Sequence, residues 1–314
     1  MTKRRKILLL ACGLIMGVVL VIFFYSLREP SYKGKKLSAL LLEAAEIDRS
    51  YKWPKNDTEE YRQALKGRSQ QNREAIRSIG TNAIPFFLEW LQNGEPTRHH
   101  KFREKANRWL TRIHRGWEWE DQRNDLADAT VFGFEALGPQ AKGAIPKLTT
   151  IMNDPQKTGK CIIAVDSLAG IGAIAYPPLI EVVTNTNRDA IIRRRILISL
   201  VSAGYRDTNA VAIFLMVIRD PEPEVRETAM RALREIAPQA LWGALTNQLS
   251  NPDPSLRKFA SWGLGKFSPS AFPVTPLLVA ALNDPDKGVR MEATNALVQI
   301  SPEALTNAMR GHSP

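Results

Sequence analysis

A chain of 314 residues, 44% hydrophobic and 24% charged, has the composition of a folded protein, with room for two ordinary domains or one elongated one. Its two cysteines, Cys12 and Cys161, exclude a disulfide framework, and no Cys/His cluster has the spacing of a zinc site. The net charge of +11 overstates its basicity. Four of the 43 cations sit in residues 1–6 and residues 7–27 carry no charge, so the remaining 287 residues hold 39 cations against 32 anions, a net of +7. That mild excess suits a solvated helical surface better than a nucleic-acid groove.

Residues 1–6 form a basic tail with Lys3, Arg4, Arg5 and Lys6. Behind it, "ILLLACGLIMGVVLVIFFYSL", Ile7 to Leu27, runs for 21 residues without a charge, Pro, Asn or Gln. As a helix rising about 1.5 Å per residue it spans roughly 31 Å, the thickness of a bilayer's hydrocarbon core. A cleaved signal peptide has an apolar core of about 7–15 residues followed by small residues. This run is longer and ends in Phe23, Phe24, Tyr25 and Leu27. The "LLAC" around Cys12 hints at a lipoprotein signal, yet only five apolar residues precede the cysteine and the run continues well past it. An uncleaved transmembrane signal anchor fits best. The "KRRK" before the span favours a cytoplasmic N-terminus, which puts the body outside the cytoplasm, in a periplasmic setting. Arg28, Lys33, Lys35 and Lys36 after the span weigh the other way.

Residues 28–68 read as a linker and an N-terminal cap. "KLSALLLEAAEID", Lys36 to Asp48, has the periodicity of an amphipathic helix. "YKWPKNDTEEYRQALKGRSQQ" after it reads as a loop with one short helix.

From about residue 69 to residue 311 the chain repeats itself. "REAIRSIGTNAIPFFLEWL" from Arg73 and "DATVFGFEALGPQAKGAIPKL" from Asp128 are early copies, separated by an irregular insertion at about 95–127. Five copies then follow in register, marked by Lys160, Arg193, Arg226, Arg257 and Arg290 at intervals of 33, 33, 31 and 33. Six residues before each marker stands a short side-chain acceptor: Asp154, Asn187, Asp220, Asn251 and Asp284. Seven residues after each comes Ser167, Leu200, Leu233, Leu264 or Leu297, and apolar offsets of three, seven and ten trace one helix face. A second apolar stretch completes each copy, with Pro146, Pro177, Pro238 and Pro276 at or near its start, where a helix tolerates a missing N–H. The unit is helix, turn, helix, and an Asp/Asn-Pro turn joins one unit to the next. A lone pair of this kind cannot bury its apolar faces, whereas stacked pairs can.

The strings "DPEPEVRETAMRALREI" and "DPDKGVRMEATNALVQI" resemble the HEAT repeat, in the compact form common in bacteria. The resemblance implies an all-α fold: a right-handed α-solenoid of about seven helical hairpins, preceded here by one transmembrane helix. It also implies a ladder of polar contacts between neighbouring units, with Asp220 serving Arg226 and Asp284 serving Arg290. Lys160, Asn187 and Asn251 depart from that pattern. These are structural residues rather than catalytic ones.

No constellation for catalysis, cofactor or metal stands out. His99 and His100 are adjacent and so point to different sides of a helix, and no P-loop, GxGxxG, GxSxG or HExxH occurs. "GLGKFS" at 263–268 lacks the first glycine of a phosphate loop. Two surfaces remain as partner sites. The insertion gathers Arg103, Arg108 and Arg112 with Trp109, Trp117 and Trp119, residue types favoured as binding anchors. The second helices, from Ala175 to Val183, Ala210 to Ile218 and Ala271 to Leu282, hold one charge, Glu181. The sequence therefore points to a membrane-anchored, non-enzymatic scaffold that binds a protein partner. Two alternatives stand beside it: a HEAT-like bilin lyase, implied only by the resemblance, and nucleic-acid binding through a basic face. No small-molecule substrate is indicated.

Overall fold

The structure is a computed structural model, and it describes residues 29–52, 58–93, 123–267 and 274–311. The apolar span 7–27 lies outside the described residues, as do most of the insertion and Arg103, Arg108, Arg112, Trp117 and Trp119. Among the described residues no helix is long and apolar enough to cross a membrane.

Among the described residues the regular structure is helical except for one small antiparallel pair, β1 (Ser31–Tyr32) with β2 (Lys35–Lys36). Their turn places Lys33 and Gly34 at positive φ, 48° and 78°. The chain divides into two compact bodies, up to Ala175 and from Tyr176.

In the first body α1 (Leu37–Lys52) packs on α2 (Glu59–Ile79), and both pack on α4 (Arg123–Leu137). Leu37, Leu40, Leu41, Ala44 and Ile47 are buried, so the predicted amphipathic stripe is the one α1 turns inward. Of the stretch expected as a loop with one short helix, residues 53–57 lie outside the described residues and residues 59–71 form the front of α2, a 21-residue helix that runs past residue 69. Thr58 starts it, accepting a hydrogen bond from the Tyr61 amide, and Glu59 and Glu60 favour its positive end. A polar stretch that caps well and follows with an apolar stripe at Leu65, Ala75 and Ile76 continues as one helix.

Short 3₁₀ connectors lead from α2 to α3 (Ile84–Asn93) and from α4 to α5 (Ile145–Met152). Each begins at a glycine of positive φ, Gly80 at 65° and Gly138 at 55°, a conformation open to glycine at no steric cost. The core centres on Phe87 and Phe134, whose rings meet edge to face at 5.2 Å. Phe87 rests on Gly133, where a Cβ would stand 2.5 Å from the ring, so glycine is what admits α3 against α4. The last helix of this body is α6 (Thr158–Ile171), packed on α4 and α5.

The second body holds α7 (Tyr176–Thr184) and four hairpins: α8 (Ala190–Ser202) with α9 (Thr208–Val217), α10 (Pro223–Ile236) with α11 (Pro238–Gln248), α12 (Pro254–Phe267) with α13 (Thr275–Ala281), and α14 (Lys287–Ile300) with α15 (Pro302–Gly311). First helices pack on first helices, α8 on α10 and α12 on α14, and second helices on second helices. Leu200, Leu233, Leu264 and Leu297, seven residues after their markers, are completely buried between the two layers. Burying each such leucine contributes about 1.5–3 kcal/mol.

Candidate functional site

Each described turn between hairpins is built around a side-chain oxygen that accepts the backbone N–H two residues on. Asp154 accepts from Gln156, Asn185 from Asn187, Asp220 from Glu222, Asn251 from Asp253 and Asp284 from Asp286, all at 2.9–3.0 Å. The acceptor in the second of these turns is Asn185, not Asn187, because two extra residues separate it from Arg193. A second acidic side chain then caps the following helix in three turns: Asp189, Asp253 and Asp286 accept from Ile191, Ser255 and Val289.

The marker arginines clamp these turns. Nη1 of Arg226, Arg257 and Arg290 donates to the carbonyls six and five residues back, at 2.7–3.0 Å. Nη1 of Arg193 donates likewise to the carbonyls of Thr186 and Arg188, seven and five residues back. The link expected between Asp220 and Arg226, and between Asp284 and Arg290, is therefore made to the aspartate's backbone carbonyl. The carboxylate serves the hairpin before. Arg193 pairs with Asp220 and Arg257 with Asp284 through two hydrogen bonds each, at 2.7–2.9 Å. A guanidinium has five N–H donors in a fixed fork, enough to hold its own turn and reach forward to the next. Hydrogen bonding to Arg257 is the main cause holding the Asp284 carboxyl below the usual carboxylate range, and the same bond raises the Arg257 guanidinium.

Two rungs depart from this scheme. Where Arg226 would meet a carboxylate the chain has Asn251. Arg226 Nη2 reaches Ser255 Oγ at 3.3 Å, while its buried Nε has no hydrogen-bond partner. Burial lowers the pKa of this arginine, against the pull of Asp253, Asp220 and Glu222, and its guanidinium stacks 5.1 Å from the Phe259 ring. In α6 the arginine position is filled by Cys161 rather than Lys160. The buried Cys161 thiol lies 2.9 Å from the Asp154 carbonyl and 3.3 Å from that of Ile151. The core residues Val165 and Leu168 fall in step with Cys161, four and seven residues on. Lys160 instead donates through Nζ to the Gln92 carbonyl of α3.

Most polar groups inside these turns are committed to structure, and the exposed faces are a second place where a partner can meet the chain. In the second body they differ sharply. Helices α7, α9, α11 and α13 carry one charged residue, Glu181. Their exposed positions include Pro177, Ala212, Met216, Gly243, Leu277 and Ala280, with Met216 at 61% and Leu277 at 40% exposure. The first helices carry the charge. Between α8 and α10 lies an open groove of about 450 Å³, floored by Leu197, Ile198 and Val201. One ion pair joins its walls, Arg194 to Glu224 at 2.5 Å across the two helices, and a second, Arg231 to Glu227, runs along α10. Among the described residues no group of three or more His, Cys, Asp or Glu is placed to hold a metal ion.

Residues 242–312, from within α11 to the end of the last hairpin, match the family model of HEAT repeats. That part of the chain carries HEAT repeats. The same turn-and-arginine geometry extends upstream of the matched span, at Arg193 and Arg226. HEAT repeats in general form protein-interaction scaffolds. No curated protein matches the chain.

Proposed function

We propose that this HEAT-repeat chain is a membrane-anchored scaffold without catalysis of its own, which binds a protein partner on the face of its second helices. The observation that carries this reading is the contrast between faces: one charge on four successive second helices, beside first helices dense in Arg, Lys and Glu. Depletion of charge with exposed Met and Leu is the make-up of an interface core. The right-handed stacking of about seven hairpins and the anchoring helix at Ile7 to Leu27 belong to the same reading, with the solenoid outside the cytoplasm. The arginines at 103, 108 and 112, with Trp117 and Trp119, supply a second contact from the insertion.

The test is a photo-crosslinking residue placed at Met216 or Leu277 in the full chain in its own membranes, with Glu227 of the first-helix face as control. A discrete protein adduct from the first two positions and not from the third is expected. Equal yields at all three, or none, would overturn the assignment of the face. For the anchor, the protein should stay with membranes through a carbonate wash and keep an N-terminus that precedes Ile7. A mature N-terminus near Arg28 would overturn it.

A further inference from the structure

Three contacts join successive hairpins in the second body. Arg257 gives Nε and Nη2 to Asp284 of the next turn, at 2.8 and 2.9 Å. Gly265 lies so near α14 that a Cβ on it would stand 2.5 Å from Ala296 Cα. Leu245 of α11, completely buried, is covered by α12, where a Cβ on Gly263 would be 3.2 Å from its Cδ1.

The last hairpin, α14 with α15, repeats the same three positions. Arg290 and Val298 stand 33 residues after Arg257 and Gly265. Met309 follows Ser301, whose amide donates to Leu297, by the same eight residues that separate Leu245 from Ala237, whose amide donates to Leu233. At this edge the positions are open: Val298 is 54% and Met309 66% exposed, and Met291 beside Arg290 is 50% exposed. Arg290 Nη1 holds the Asp284 and Pro285 carbonyls at 2.7 and 2.9 Å, as Arg257 Nη1 holds those of Asn251 and Pro252. Its guanidinium is thus fixed with Nε and Nη2 on the side where an interior hairpin receives an aspartate. Among the described residues no carboxylate hydrogen-bonds it.

We propose that the α14/α15 edge docks a helical protein whose helix-entry turn carries a carboxylate, stacking on it as one further hairpin. A carboxylate suits this edge better than a neutral polar group. Where Asn251 stands in the chain's own ladder, the arginine Nε is left without a partner, and a charge-assisted bidentate pair is the stronger and more selective contact. Val298 in place of Gly265 adds a condition: the incoming helix must present a small residue there. This surface is separate from the second-helix face and stands whether or not that face binds.

Two experiments test it. A copy of residues 284–311 appended after Pro314 sets its aspartate thirteen residues after Pro302, as Asn251 follows Pro238. The melting temperature should rise by several degrees, and most of that rise should vanish with Asn in place of the added aspartate or with Arg290→Gln. No rise, or a rise indifferent to both changes, would overturn the edge as a carboxylate-reading surface. In the unextended chain in its membranes, photo-crosslinkers at Met291 and Val298 should give an adduct whose mapped peptide holds an acidic residue at a helix start. Arg290→Gln should reduce its yield about tenfold, the equivalent of one charge-assisted hydrogen bond. No adduct, or one insensitive to Arg290→Gln, would overturn the partner.

Discussion

Arg193 closes on Asp220 through two parallel hydrogen bonds, Nε to Oδ2 at 2.9 Å and Nη2 to Oδ1 at 2.7 Å. Both side chains are only 2% exposed. Asp220→Ala leaves that guanidinium buried without its counter-charge and removes the acceptor of the Glu222 amide, so it should cost about 3–5 kcal/mol. Glu224→Ala breaks the neighbouring pair with Arg194, whose partners are 48% and 75% exposed, and should cost no more than about 1 kcal/mol. Urea melts of the two variants measure the difference. Similar losses would mean that burial does not set the worth of this rung.

Asn251 marks the opposite case. Arg226 is buried with its Nε unpartnered, and burial disfavours its charged form. Asn251→Asp offers the missing carboxylate at the position that Asp220 and Asp284 occupy in their rungs. A stability gain of about 1–3 kcal/mol is expected, the worth of a hydrogen bond to a charged group. The gain should disappear in the double variant with Arg226→Met, measured as a double-mutant cycle. A loss in the single variant would show that this joint cannot close on a carboxylate.

Glycine positions separate packing from propensity. A Cβ on Gly265 would meet the Cα of Ala296 at 2.5 Å, and backbone cannot swing aside as a side chain can. Gly265→Ala should therefore force α12 from α14 and cost about 1–3 kcal/mol. Gly243, inside α11, is exposed with nothing within 4 Å of its would-be Cβ. There Gly→Ala should stabilise by about 0.5–1 kcal/mol through helix propensity alone. Thermal melts of both variants should move in opposite directions.

The period and the core stripe were legible in the sequence because each repeat answers to the same local demands: an acceptor at the turn, an arginine over it, a leucine seven residues on. What failed did so where residue type and position part company. Lys160 looks like the marker of its copy because it is basic. The turn there is held by Cys161, and only the step of the buried residues Val165 and Leu168 reveals the shift. Asn187 sits at the right distance from Arg193, yet a two-residue extension moves the acceptor to Asn185. The pairing of Arg193 with Asp220, 27 residues ahead, depends on how hairpins stack and has no local signature. The length of α2 was missed because the polar face of its front half outweighs a thin apolar stripe. Of the candidate sites, the neutral row of second helices could be read directly from composition. The open edge at Arg290 could not, since it is defined by what the preceding hairpins do with the same residues.

The pairing of Asp284 with Arg257 also fixes a direction for acid sensitivity. Hydrogen bonding to Arg257 holds this carboxyl below its ordinary pKa of about 3.9. Between the folded and unfolded values the unfolded chain binds the extra proton, so stability falls as pH falls through that window. Above about pH 4 the contribution is complete, and below the folded value it is gone. Asp284→Asn should therefore be less stable than the unaltered chain at pH 7, with a difference that narrows as the pH is taken below about 4. Urea midpoints for both proteins at pH 7, 5 and 3 give the comparison. A difference that widens toward pH 3 would mean that the folded state raises this carboxyl's pKa, contrary to an ion pair with Arg257.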